Sequence, residues 1–307
     1  MDAITFWNIF LNNILPIFLA AGTGFALGRS LRPDLKTVSR LALYVFSPCL
    51  VITSLTHNEL SNADFWQMAF FTLAILVVMA MLALLAGLAL RLERRLLVTL
   101  VIASVFVNGG NYGLAVNKFA FGDAALARAV VYFVFSTITV YTAGVAIASF
   151  GKLPLRRALA QVLTLPAFYG LIVAGLLRAT GWQLPLALER PITLLSQAAI
   201  PVMLVLLGLQ IAETRAWPRA RMGLILLASL LQLVIAPIAG LLLAGAMGLT
   251  GVTRQAAVLE AAMPTAVITT VLAVEYDLDN AFVTGTVVLS TLLSPLTLTL
   301  LIAYLQR

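Results

Sequence analysis

Apolar residues run along this chain in long stretches, separated by short clusters of polar and charged positions. The stretches do not alternate with a period of two, as barrel strands would. They approach the twenty or so residues that cross a bilayer as a helix. Ten spans fit, at roughly 8–28, 38–56, 65–90, 96–118, 129–150, 158–180, 191–213, 222–248, 254–274 and 280–305. The loops between them are short and leave no room for a soluble domain. In lipid every backbone polar group needs an internal partner, which for runs of this kind means helices. The expected fold class is therefore all-α and integral to a membrane, with ten transmembrane helices.

Composition strengthens this reading. Of 307 residues, 62% are hydrophobic and only 10% charged, against roughly 45–50% and about 25% in soluble domains. A soluble surface could not be covered with so little charge. The net charge of +7 does not point to nucleic acid, because the basic residues sit in short clusters between apolar runs, as orientation signals do.

Those clusters set a direction. The loops after spans one, three, five and seven carry Arg29, Arg32, Lys36 and Arg40; Arg91, Arg94 and Arg95; Lys152, Arg156 and Arg157; and Arg215, Arg219 and Arg221. The other side holds Lys118, Arg128, Arg178, Arg190, Arg254 and Arg307. Both termini are then expected outside, with Trp7, Trp66 and Trp182 at the outer interface. The first apolar run lacks a preceding basic stretch and a separate cleavage site, and reads as a span rather than a signal peptide. Cys49 is the only cysteine and His57 the only histidine, so neither a disulfide nor a metal site built on them is expected.

The two halves share landmarks. Leu15-Pro16-Ile17-Phe18 in span one matches Leu165-Pro166-Ala167-Phe168 in span six, and Ser47-Pro48 matches Ile200-Pro201. Asn111 lies 63 residues beyond Pro48, and Pro264 lies 63 beyond Pro201. Five spans per copy is an odd number, so the second copy enters the membrane in the opposite sense. Such 5+5 inverted repeats are how many secondary transporters build two related conformations.

Two spans look broken. Span four carries Asn108-Gly109-Gly110-Asn111-Tyr112-Gly113, and glycine costs a helix about 1 kcal/mol relative to alanine. Span nine carries Glu260-Ala261-Ala262-Met263-Pro264-Thr265, where proline removes one helix hydrogen bond. Such backbone is tolerated in a membrane only where it is buried or lines a cavity. If the breaks cross, N-terminal helix ends suit a carboxylate, and C-terminal ends offer carbonyls to a cation. Glu260, an acid inside an apolar run, is a functional candidate for Na⁺ or a proton, with pairing to Arg254 as the structural alternative. Ser136, Thr137 and Thr139 supply hydroxyl oxygens that more often bond back to their own helix.

Asn108-Gly-Gly-Asn-Tyr-Gly-Leu, Ala198-Ala-Ile-Pro-Val-Met-Leu-Val-Leu-Leu-Gly-Leu-Gln-Ile-Ala212, Ala261-Ala-Met-Pro-Thr-Ala266 and the following Ala273-Val-Glu-Tyr resemble the auxin efflux carrier family. Nearly the whole chain is covered. The resemblance implies a fold shared with the bile-acid sodium symporters, in which helices four and nine cross. It also implies a scaffold domain (1–57 and 158–213) and a transport domain (58–157 and 214–307) that moves like an elevator. The family has proline where Ala115 stands, so the first crossover relies on glycine here. Glu260 resembles the sodium-binding glutamate of the bile-acid symporters.

The expected function is secondary transport of a small organic anion, a carboxylate of auxin-like or dicarboxylate type, across a bacterial inner membrane. Asn108, Gly109, Gly110, Asn111, Gly113, Met263, Pro264 and Thr265 are the substrate-site candidates. Glu260, Ser136, Thr137 and Thr139 are the ion-coupling candidates, with Na⁺ at Glu260. No other cofactor is expected. Proton coupling or no coupling remains the alternative, an ion channel is the alternative class, and a homodimer is left open. The spans carry no His-Glu-x-x-His, Gly-x-Ser-x-Gly or paired catalytic acids, so an enzyme is not expected.

Overall fold

In the computed structural model, which describes residues 3–58, 60–150, 155–213 and 221–307, the apolar runs form helices. In chain order they are α1 (Ile4–Ser30), α2 (Leu35–Thr56), α3 (Asn62–Ala89), α4 (Arg94–Val105), α5 (Gly109–Ala148), α6 (Leu155–Val162), α7 (Pro166–Thr180), α8 (Leu186–Glu213), α9 (Met222–Ala246), α10 (Gly251–Ala261), α11 (Ile268–Glu275) and α12 (Asn280–Leu305). Among the described residues seven of these, α1–α3, α5, α8, α9 and α12, are long and apolar enough to cross a membrane. Large apolar side chains stand on the outer surface, with Val77, Met81 and Leu85 of α3 and Leu242 of α9 all more than half exposed. That is the surface of a multi-pass membrane protein, in which lipid takes the place of water.

Prolines shape these helices without ending them. The helix widens over Phe10–Ile14 just before Pro16, over Ala42–Phe46 before Pro48, and over Leu231–Ile235 before Pro237. A proline ring crowds the carbonyl one turn back, and a wide turn at that point relieves the clash. Pro166 behaves differently. It opens α7 as the first residue of the helix, where its missing N–H leaves nothing unsatisfied. The continuous span expected over 158–180 is therefore two helices, α6 and the 15-residue α7, with a turn between them.

Spans four and five also differ from expectation. The segment from Gly109 to Ala148 is helical throughout apart from one kink at Gly122, whose φ of 79° a side-chain-bearing residue rarely adopts. Arg128, counted above as a loop cation, is inside this helix and buried. It leaves the charge count that set the direction of the chain. Lys152, Arg215, Arg219 and the side chain of Arg157 lie outside the described residues.

Two sets of helices pack closely within themselves. In the first, α1 lies against α8, and α2 against α7 and α8. A Cβ on Gly24 would overlap the Val205 carbonyl, and one on Gly208 would overlap the Ala21 carbonyl. Glycine at both positions lets the α1 and α8 backbones touch, as small residues do in membrane helix pairs. In the second set, α3, α4, α5, α9, α10 and α12 share a core. Three of the buried side chains there, Tyr112, Tyr132 and Phe282, are among the largest in the molecule.

Candidate functional site

Helix α4 stops at Val105 because Phe106 turns to extended backbone (φ −93°, ψ 116°). Helix α10 stops at Ala261, two residues before Met263-Pro264. The two links that follow lie side by side and antiparallel. Val107 pairs with Thr265, the Asn108 N–H donates to the Pro264 carbonyl at 2.7 Å, and the Ala266 N–H donates to the Phe106 carbonyl at 2.8 Å. Groups freed by each break are thus bonded by the other. The Thr265 hydroxyl donates to the Ala103 carbonyl at 2.8 Å, taking up an acceptor at the end of α4. The Thr265 N–H reaches the Ser290 hydroxyl at 3.2 Å, and the Gln232 amide donates to the Met263 carbonyl at 3.0 Å. Backbone that is not helical is tolerated here because it is buried in protein.

Asn111 and Pro264, which the sequence spacing pairs as landmarks, do not occupy the same position in the two breaks. Pro264 is in the extended link, whereas Asn111 falls inside the restarted helix.

After the links, α5 restarts at Gly109 and α11 at Ile268. Both N-terminal ends border one cavity of about 230 Å³. From the first come Asn108, Gly109, Gly110 and Asn111, and from the second Ala266, Val267 and Ile268. First-turn N–H groups have no partner inside their own helix and carry partial positive charge. Ser136 and Thr137 add hydroxyls, while Leu43, Phe133, Leu206 and Val271 form apolar wall. No Lys, Arg or His is among the described residues that line it. Asn108 is 5% exposed, and its side-chain nitrogen has no hydrogen-bond partner among the described residues. A buried amide donor left unpaired is costly, and this one belongs to a residue that lines a cavity.

Glu260 sits beside this cavity but does not line it. The side chain is fully buried. Its carboxyl packs against the backbone of the restarted helix: a Cβ on Gly109 would fall 2.6 Å from Oε2, and one on Gly113 would fall 2.6 Å from both oxygens. Oε1 accepts from the Asn117 amide at 2.9 Å, and the same amide donates to the Gly113 carbonyl at 3.0 Å. Oε2 has no partner among the described residues, and neither has Asn117 Oδ1. Arg254 does not pair with this acid; its guanidinium stands 6.0 Å over the Tyr304 ring.

The structure thus brings six of the candidates to the cavity: Asn108, Gly109, Gly110, Asn111, Ser136 and Thr137. Gly113 makes room for Glu260, and Met263, Pro264 and Thr265 hold the link in place. Thr137 and Thr139 bond back to Phe133 and Phe135 carbonyls of their own helix at 2.7 and 2.8 Å. Asn117 and Gln232 are not among the sequence-derived candidates; the signals they carry are a lone amide within an apolar run for Gln232, and a place four residues after Gly113 on the same helix face for Asn117.

A second cavity, of about 390 Å³, lies where α2 and α7 end and α8 begins. Its charged groups are already matched. His57 stands 3.4 Å from Glu189, and Arg178 donates to the Leu55 and Leu60 carbonyls.

A protein-family model described as "Membrane transport protein" matches residues 9–153 and 154–302. An uncharacterized transporter of Methanothermobacter thermautotrophicus is 27% identical over 271 residues, spanning 87% of this chain and 88% of that protein. An uncharacterized transporter of Methanocaldococcus jannaschii is 24% identical over 275 residues, spanning 86% and 88%.

Proposed function

We propose that this chain, which belongs to the membrane transport protein family of auxin efflux carriers, is a secondary carrier of a small organic anion. The observation that carries the reading is the cavity where the N-terminal ends of α5 and α11 meet, with the unpaired Asn108 amide at its edge. Helix N-termini and neutral amides bind a carboxylate without a cationic side chain. Its lining sets the neutral polar groups of Asn108, Asn111, Ser136, Thr137, Ser39 and Gln210 among apolar side chains, which suits a small carboxylate with an apolar body.

Counting each broken segment as one crossing, and α7 as another, adds three to the seven long helices, and we read the resulting ten as a 5+5 inverted repeat with helices four and nine crossed. The odd loops, richer in Lys and Arg, are then cytoplasmic and both termini are outside. Ser39 and Leu43 near the start of α2, Gln210 near the end of α8, and Val271 in α11 all lie on the odd-loop side of the links. In that orientation the cavity faces the cytoplasm of a bacterial inner membrane.

The scaffold (1–57 and 158–213) and the transport domain (58–157 and 214–307) move past each other as an elevator. Among the described residues, Arg95–Asp277, Lys118–Asp123, Arg128–Asp64 and Arg221–Asp279 tie the transport domain internally, and His57–Glu189 ties the scaffold. None of these joins one domain to the other, so sliding breaks none of them. The scaffold is also the surface on which a homodimer would form.

Glu260 carries the coupling cation. Its Oε2, buried and without a partner among the described residues, is the acceptor that would take Na⁺, with a proton as the other occupant. The test is uptake of labelled phenylacetate, indole-3-acetate and malonate into proteoliposomes under a Na⁺ or a pH gradient. Saturable, gradient-driven uptake of the monocarboxylates is expected, and Glu260→Gln should abolish the gradient dependence. Steady unitary currents in place of saturable uptake would make the protein a channel.

A further inference from the structure

We infer that Asn117 is the positioning residue through which the charge state of Glu260 reaches the anion cavity. The inference rests on the carrier reading above and deepens it by naming the connection between its two sites.

Glu260 does not touch the cavity, so cation and anion cannot be coupled by direct contact between them. A continuous set of hydrogen bonds runs from one to the other. Oε1 of Glu260 accepts from Asn117 at 2.9 Å, and the same Asn117 nitrogen donates to the Gly113 carbonyl at 3.0 Å. The Gly113 N–H donates to the Asn108 carbonyl at 3.0 Å, and the Asn108 N–H is fixed to the Pro264 carbonyl. Asn108 then lines the cavity with its free amide. Each member is buried, and Asn117 and Glu260 are wholly so.

One amide nitrogen is therefore shared between a carboxyl whose charge can change and the carbonyl that shapes the first turn of α5. An amide donates strongly to a carboxylate and weakly to a neutral acid or to an oxygen already holding a cation. When Glu260 is neutralised, one of the two Asn117 N–H bonds weakens, and the amide, held chiefly by its other N–H, moves towards the Gly113 carbonyl. The turn from Asn108 to Gly113 feels that change, because no side chain cushions it: Gly109 and Gly113 leave backbone against the carboxyl. Among the described residues, Tyr132 of α5 is the titratable side chain that neighbours Glu260, and no cation faces it.

Hydrogen–deuterium exchange on the purified full-length protein tests this without knowledge of the substrate. Exchange is compared in NaCl and in choline chloride, and in neutral and mildly acidic buffer. In the wild type, peptides covering 256–263 and peptides covering 106–113 should both respond, by about fivefold or more in rate, the lower end of measured site-to-site coupling. Glu260→Gln should silence both. Asn117→Leu should leave the response at 256–263 and lose it at 106–113. The retained response shows that the variant is folded and still senses the cation, and Asn117→Ser serves if the leucine variant does not fold. A response at 106–113 that survives both Asn117 variants overturns the inference, as does a wild type in which 106–113 never responds. Failure of the carrier reading looks different: the relay responds, yet no carboxylate is taken up.

Discussion

A methyl group on Gly113 would lie 2.6 Å from both carboxyl oxygens of Glu260. No real Cβ sits so close, so either the helix start or the buried acid must shift. Overpacking of this kind costs about 1–3 kcal/mol, and here it also disturbs the Asn117 bond. Gly113→Ala is expected to lower the thermal unfolding midpoint and abolish transport. Gly22→Ala is the control, since a Cβ at that position on α1 would meet nothing within 4 Å. That change should be neutral or slightly stabilising, because alanine favours a helix by up to about 1 kcal/mol. Equal melting points for the two variants would sink the argument that Gly113 is there for Glu260.

The glycines and Pro264 were legible in the sequence because they contradict the helix around them. So was Glu260, a charge where none is expected. What those signals could not show is which residues face the same space. Asn108 and Thr265 are both polar residues at a break, yet one lines the cavity and the other bonds a carbonyl of α4. Asn117 sits next to Lys118 and reads as the end of a span, although it is wholly buried in a helix that continues past it. Arg128 reads as a loop cation for the same reason. Periodicity identifies an apolar run; it does not identify a buried polar residue whose partner is more than a hundred positions away.

Asn108 offers the sharpest test of the cavity. Its amide nitrogen is a buried donor without a partner among the described residues. Asn108→Ala removes one hydrogen bond to the charged group of the proposed anion, worth about 1.5–3 kcal/mol, or roughly ten- to a hundredfold in affinity. Asn108→Asp keeps the shape but sets a carboxylate against a carboxylate, and should weaken binding further. Titration calorimetry with phenylacetate on both variants gives the order wild type, Ala, Asp. An Asp variant that binds as tightly as the wild type would place the anion elsewhere.

Thr265 and Thr137 are both threonines in this region, with opposite predicted sensitivities. The Thr265 hydroxyl donates to the Ala103 carbonyl in the last turn of α4, an acceptor that its own helix leaves free. Thr265→Val keeps the volume and orphans that buried carbonyl, at a cost of about 1–3 kcal/mol. The Thr137 hydroxyl only adds a second bond to the Phe133 carbonyl of its own helix. Thr137→Val should therefore leave stability within about 0.5 kcal/mol. Thermal unfolding in one detergent decides between them.

The strongest stability prediction concerns the far end of α10. Arg128 of α5 donates to Asp64 of α3 at 2.8 Å and to the Thr253 hydroxyl of α10 at 2.6 Å, and Thr253 donates to Asp64 at 2.5 Å. Three helices of the proposed transport domain are joined in one network. The arginine is one-tenth exposed and the aspartate one-quarter, so solvent screens the pair only in part. Removing one partner leaves a nearly buried charge alone, which in such sites costs about 3–5 kcal/mol, less here for the exposed side of Asp64. Arg128→Met and Asp64→Asn are each expected to destabilise strongly. The double variant should cost less than the two losses added together, because neither charge is then left behind. Thr253→Val should fall between, since it takes one donor and one acceptor from the network but no charge. Since Thr253 and Glu260 share α10, the same variants report whether this anchor matters to the site. If it does, Arg128→Met loses Na⁺- or proton-driven uptake at temperatures where it remains folded, while a purely structural anchor would leave that dependence intact.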